Sequence, residues 1–109
     1  MNQKIESHHE VDENGNPTGG ETTGTGISIR WQDGPLGRGK DRQKPNGAFV
    51  EGVIAAAIDR IRFYQQASAG RFACRENALA ITHLEEALHW CNHRTAEREA
   101  REVEGTHTA

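Results

Sequence analysis

The chain is short of what a free-standing domain usually needs. Only 34% of its 109 residues are apolar and mean hydropathy is -0.82, so a lone copy has little core to offset the entropy of ordering the chain. A single small domain, or one with a flexible arm, is expected, and a homo-oligomer that shares its core between subunits would relieve the shortage. No apolar run is long enough for a membrane span or a signal peptide, which points to a soluble, cytoplasmic protein. With two cysteines, Cys74 and Cys91, a disulfide framework is not expected; buried free thiols in a reducing compartment are. The chain also lacks a basic excess: the formal charge of -3 argues against general DNA or RNA binding, which relies on displacing counterions. Neither an internal repeat nor a sustained heptad pattern is present.

What is there begins with alternation. Ile5, Ser7, His9 and Val11 point one way and Lys4, Glu6, His8 and Glu10 the other, the period of a strand. Asp12-Glu13-Asn14-Gly15-Asn16-Pro17 supplies a turn, and the glycines and threonines of 18–26 read as a permissive loop or irregular strand. Ile27, Ile29 and Trp31 alternate with Ser28, Arg30 and Gln32, the clearest strand in the chain. A two- or three-stranded antiparallel sheet follows, too small to stand alone. The basic stretch Arg38 to Lys44 reads as a flexible linker, or as a loop whose Arg38, Lys40 or Arg42 closes over a ligand.

Two helices come next. Asn46 is a candidate N-cap for the first, on which Val50, Ile54, Ala57, Ile58 and Ile61 form one stripe and Phe49, Val53, Ala56 and Phe63 another. Ser68-Ala69-Gly70 ends it and turns the chain into a helical hairpin. On the second helix Ala80, Ile81, Leu84, Ala87, Leu88 and Cys91 recur at three- and four-residue steps. The same face then carries Arg94, Thr95, Arg98 and Arg101, with Gly105 as the stop. Residues 1–37 are thus the sheet region, 38–45 the linker and 46–105 the hairpin of one α+β domain. Arginines that continue a buried face point to anion recognition, whereas a solvated charge run is the commoner arrangement.

Other chemistries find little support. Glu86-x-x-His89 and His93 have spacings that share a metal on some helices, but they lie opposite the apolar stripe and no second Glu-x-x-His completes a site. A nucleophile with its base is not visible, and the glycine-rich segments lack the lysine–serine/threonine pair of a phosphate-cradling loop. Arginine forks with aromatic platforms make the better case, Phe72 between Arg71 and Arg75 foremost: they are the minimal equipment for a nucleotide-like ligand.

Motifs along nearly the whole chain resemble the phage Thoeris anti-defence proteins. They are Glu6-Ser-His-His-Glu-Val-Asp-x-x-Gly15-Asn-Pro, Gly26-Ile-x-Ile-x-Trp-Gln-x-Gly-Pro35 and Pro45-Asn-Gly-Ala-Phe-Val-Glu51, followed by Phe72-x-Cys-x-Glu-Asn77, Leu84-Glu-x-Ala-Leu88 and Arg94-Thr-x-x-Arg98-x-x-Arg-x-Val-Glu-Gly-Thr106. The resemblance implies a non-enzymatic sponge without a cofactor or metal, active in the cytoplasm of the infected bacterium. It would hold intact the glycosyl-cyclic ADP-ribose signals made by Toll/interleukin-1-receptor-domain enzymes. It also implies assembly as a dimer or hexamer, and a helical hairpin shared with the cyclic-oligonucleotide sponges of anti-CBASS proteins, so that cyclic di- and trinucleotides form a second ligand class. Carried onto this sequence, Arg94 and Arg98 would meet the pyrophosphate, Phe72 or Trp31 would cover the adenine, Asn77 and Thr106 would read polar edges, and Arg101 would join the ligand-binding set. The alternatives are a helical-hairpin assembly protein with no small-molecule ligand and an enzyme that degrades the signal.

Overall fold

The computed structural model describes residues 3–109; residues 1 and 2, at the head of the expected sheet region, lie outside the described residues. The chain is α+β as expected, with three strands, β1 (Ile5–Val11), β2 (Pro17–Gly24) and β3 (Ile27–Trp31), then helices α1 (Val50–Gly70) and α2 (Arg75–Ala100). It divides into two compact units: the sheet region through Phe49 together with Arg98–Ala109, and the helical unit Val50–Glu97.

In the first unit the sheet is antiparallel in the order β1-β2-β3. Asp12 closes the β1–β2 turn by accepting hydrogen bonds from the amides of Asn14 (2.9 Å) and Asn16 (3.0 Å). These bonds, that to Asn16 foremost, hold its carboxyl below the usual aspartate pKa. The glycine- and threonine-rich stretch is a regular central strand. It earns that position through backbone fit: at Gly20, paired with His9 and Trp31, a Cβ would overlap the His8 carbonyl oxygen. Thr22, 6% exposed, ties all three strands together, since its Oγ1 accepts the Trp31 indole N–H at 2.8 Å and lies 2.8 Å from Ser7 Oγ.

After β3 the chain returns alongside it. Gln32 N donates to Ala48 O at 3.0 Å and Ala48 N to Arg30 O at 2.7 Å. Asn46 belongs to this lateral pairing and does not cap α1: its Oδ1 accepts Asp33 N at 2.8 Å and its amide donates to Gln32 Oε1 at 2.9 Å. In the intervening segment a single 3-10 turn, Gly39–Asp41, is tied to the far end of the chain, as described below.

In the second unit, helical backbone geometry in α1 ends before Ala67, and Ser68, Ala69 and Gly70 all take positive φ (52°, 55° and 85°), the reversal read from the sequence. The Gln65 side chain closes the turn, its Oε1 accepting Cys74 N at 2.9 Å and its Nε2 donating to Cys74 O at 3.0 Å. An ion pair, Arg62 to Glu85 at 3.1 Å, links the two helices further on. On α2, Ala80, Ile81, Leu84, Leu88 and Cys91 are half-buried as the periodicity requires, with Asn77 opening the stripe, whereas Ala87 is exposed. Cys74 is exposed too, not buried as expected: as the residue before α2 it presents its Sγ to Asn77 N at 3.4 Å. Ile58, 4% exposed, is the one buried apolar residue among those described, and Val50, Phe63, Tyr64, Phe72, Leu79 and Trp90 of this unit all stand open. None of the described helices is long and apolar enough to cross a membrane.

Candidate functional site

The sequence-derived residues fall into two groups, one in each unit. In the helical unit Phe72 occupies the turn between the helices, 52% exposed, with the Arg71 guanidinium 4.8 Å from its ring centre. A ring with one face held by a cation and half its surface open suits stacking against a planar ligand. Asn77 sits half-buried in the first turn of α2, and Arg94 is exposed without a partner among the described residues. Arg60 lies over Phe63 and Tyr64 at 5.0 and 4.8 Å and donates to the Tyr64 hydroxyl. Farther along, Trp90, 65% exposed, makes edge contacts with His89 and His93 at 5.3 and 5.6 Å.

In the sheet unit Trp31 is half-buried and its indole N–H is already used by Thr22. The residue borders a cavity of about 290 Å³ lined also by Glu10, Thr18, Glu21, Arg30, Asp33 and Asn46. Three carboxylates against one guanidinium make this cavity a poor place for a free phosphate, so Trp31 would offer a ligand its ring, not a charge.

Arg98, Arg101 and Thr106 come together where α2 ends. The helix stops at Ala100, short of Gly105, because Glu102 takes a positive φ of 60°. Glu102 N then bonds Glu99 O at 2.9 Å and Val103 N bonds Arg98 O at 3.0 Å, the paired bonds of a left-handed helix cap. Arg98, 8% exposed, donates through Nη2 to Val103 O (3.1 Å) and Thr106 O (2.9 Å), and through Nη1 to Thr108 O. Thr106 turns its hydroxyl to Val103 O at 2.5 Å, and Arg101 reaches Ala109 O at 2.8 Å. The buried arginine face expected from the periodicity is therefore real at Arg98, while Arg94 and Arg101 are exposed.

Sequence reasoning missed the clasp that this tail forms with the basic loop. Arg42 grips Glu104 with both guanidinium nitrogens at 2.6 and 2.8 Å, Arg38 donates to Glu102 O, and Gly37 N donates to Gly105 O at 2.8 Å. The fit is close, since a Cβ on Gly105 would overlap the Gly37 carbonyl. The Arg42 fork holds the Glu104 carboxyl below the usual glutamate pKa and raises that of Arg42. Two glycines and two opposite charges far apart in sequence were the only signals, and neither names its partner.

The chain is thus an antiparallel sheet followed by a two-helix hairpin, with arginines and an aromatic at the ends of its helices. The Acb2/Tad1 hairpin domain matches residues 24–96, so the chain belongs to that family, the one its sequence motifs resemble. Among individual relatives, it is 49% identical over 81 residues to Thoeris anti-defense 1 of Bacillus phage SBSphiJ7. The aligned part is 74% of this chain and 52% of that protein, so the chain spans about half the length of the relative it matches.

Proposed function

We propose that this protein is an anti-Thoeris sponge: it binds a glycosyl-cyclic ADP-ribose signal and withholds it, intact, from the effector that the signal activates. The observation that carries the reading is the 49% identity, over 81 residues, to a protein named for Thoeris anti-defence. Physical features support it. Phe72 offers a half-open ring backed by a cation, and Arg94 is an unengaged guanidinium on α2, a stacking platform and a hydrogen-bond donor to anions of the kind such a ligand needs. Catalysis plays no part in this reading, and the signal leaves the protein as it entered.

The same proposal includes assembly. Among the described residues ten large hydrophobic side chains are exposed and one apolar residue is buried, a ratio that a homo-oligomer, dimer or hexamer, would correct. Cyclic di- and trinucleotides are a second ligand class, on the helical hairpin. For a sponge to work against a trace signal its Kd must be nanomolar or below, on the order of -12 kcal/mol, supplied mainly by slow release.

Calorimetric titration with glycosyl-cyclic ADP-ribose, followed by heat release and chromatography of the ligand, tests the reading. Tight binding with unaltered ligand is expected. Altered ligand would make the protein an enzyme. Absence of binding to this signal and to the cyclic oligonucleotides would leave a hairpin assembly protein, with the exposed apolar residues as its working surface.

A further inference from the structure

We infer that Arg98 is a positioning residue: it shapes residues 103–108 into the form that meets the ligand, and touches no ligand phosphate itself. The inference rests on the sponge reading for its ligand, but its structural part stands alone. Arg98 is held to one segment at both of its ends. Its backbone oxygen accepts Val103 N and fixes the helix cap, while its guanidinium binds the carbonyls of Val103, Thr106 and Thr108. Those three carbonyls consume the outward fork of a planar group with five N–H donors. With 8% of its surface exposed, it meets an anion only if the tail first comes away.

What Arg98 builds is the wall to which the basic loop is fastened. Gly37 to Gly105, Arg42 to Glu104 and Arg38 to Glu102 all depend on a tail that is already in place. Thr106, the tail residue carried by the family motif, has its hydroxyl fixed between Val103 O (2.5 Å) and Thr108 N (3.2 Å), so its orientation too follows from the same three-carbonyl grip. Neutral carbonyl partners explain why arginine is required here. A lysine ammonium is a compact point charge, which could still attract a phosphate but cannot span three carbonyls in one plane.

The test uses the full chain with Arg98→Ala and Arg98→Lys. Hydrogen exchange is followed in the peptide covering 101–109, and glycosyl-cyclic ADP-ribose binding is titrated over a series of salt concentrations. Both variants should lose protection in the tail while the helices keep theirs, and both should bind about tenfold or more weakly. The slope of log Kd against log salt should match the wild type, since no protein charge facing the ligand has been removed. Recovery of binding by Arg98→Lys, or a slope lower by about one, would show a direct phosphate contact and overturn the inference. Tail loosening with wild-type affinity would overturn it as well, by making Arg98 merely structural. If the wild type does not bind the probe, the sponge reading falls, and with it the ligand half of the inference; an unchanged tail in both variants would remove the other half.

Discussion

Replacing Thr22 with valine removes one oxygen and nearly preserves shape, so it isolates the hydrogen bonds that join the three strands. Thr22 Oγ1 holds the Trp31 indole N–H and pairs with Ser7 Oγ, both at 2.8 Å, at a site 6% exposed. A typical intramolecular hydrogen bond contributes about 1 kcal/mol net, more where the abandoned partner stays dry. Ser7 is exposed and its hydroxyl returns to water; Trp31 is half-buried and its N–H returns only in part. Thr22→Val should therefore cost about 1–2 kcal/mol in urea unfolding, and lower the melting temperature by roughly 4–8 °C for each kcal/mol. Protein concentration must be fixed across variants, because any oligomer links stability to concentration. A double-mutant cycle with Trp31→Phe should return a coupling of about 0.5 kcal/mol or more. A loss below about 0.5 kcal/mol with no coupling would refute the claim that this hydroxyl holds Trp31 in place.

Three further outcomes are expected. Glu102→Gly should stabilise the chain by up to about 1 kcal/mol in urea unfolding, because a non-glycine residue sits at φ 60° in the helix cap; destabilisation would mean that the Glu102 side chain contributes. Gly20→Ala should cost about 2 kcal/mol or more, from overlap with the His8 carbonyl and a φ of 131°, visible as lost strand signal in circular dichroism. The Arg42–Glu104 clasp is pH-dependent with a definite sign. Because the folded carboxyl is depressed, its contribution is complete above the ordinary glutamate pKa of about 4.3 and is lost as pH falls through the lowered value. Tail amide shifts in an NMR titration should move below that point in the wild type and stay flat in Glu104→Gln; a midpoint above it would contradict the assignment.

Much of the fold was legible because periodicity states it directly. The alternation of Ile27, Ile29 and Trp31 and the stripe from Ala80 to Cys91 each mark a face that the structure covers at least in part. The central strand was harder, since 17–24 has no apolar alternation and its place is fixed by close backbone approach at Gly20 and one buried hydroxyl at Thr22. Asn46 carries the right side chain for a helix cap, yet its side-chain oxygen accepts Asp33 N just past β3 instead, and only the return path of the chain decides between them. The stop at Glu102 in place of Gly105 has the same origin, since contacts made by Arg98 and Arg38 stabilise a backbone shape that glutamate alone disfavours. For the candidate site, the inward face of the arginine run was readable at Arg98. Which acceptor a buried guanidinium chooses was not, because a backbone carbonyl and a phosphate oxygen present it with similar geometry.

The turn between the helices carries a different consequence. Gln65 satisfies both backbone groups of Cys74 with its side-chain amide, as a neighbouring strand would. The hairpin is thereby sewn shut below the tip, so Arg71 and Phe72 are released from holding it together. A tip freed in this way can change its side chains while the helices beneath keep their register. If the protein is the sponge proposed above, such a tip is where new recognition can arise without refolding the protein.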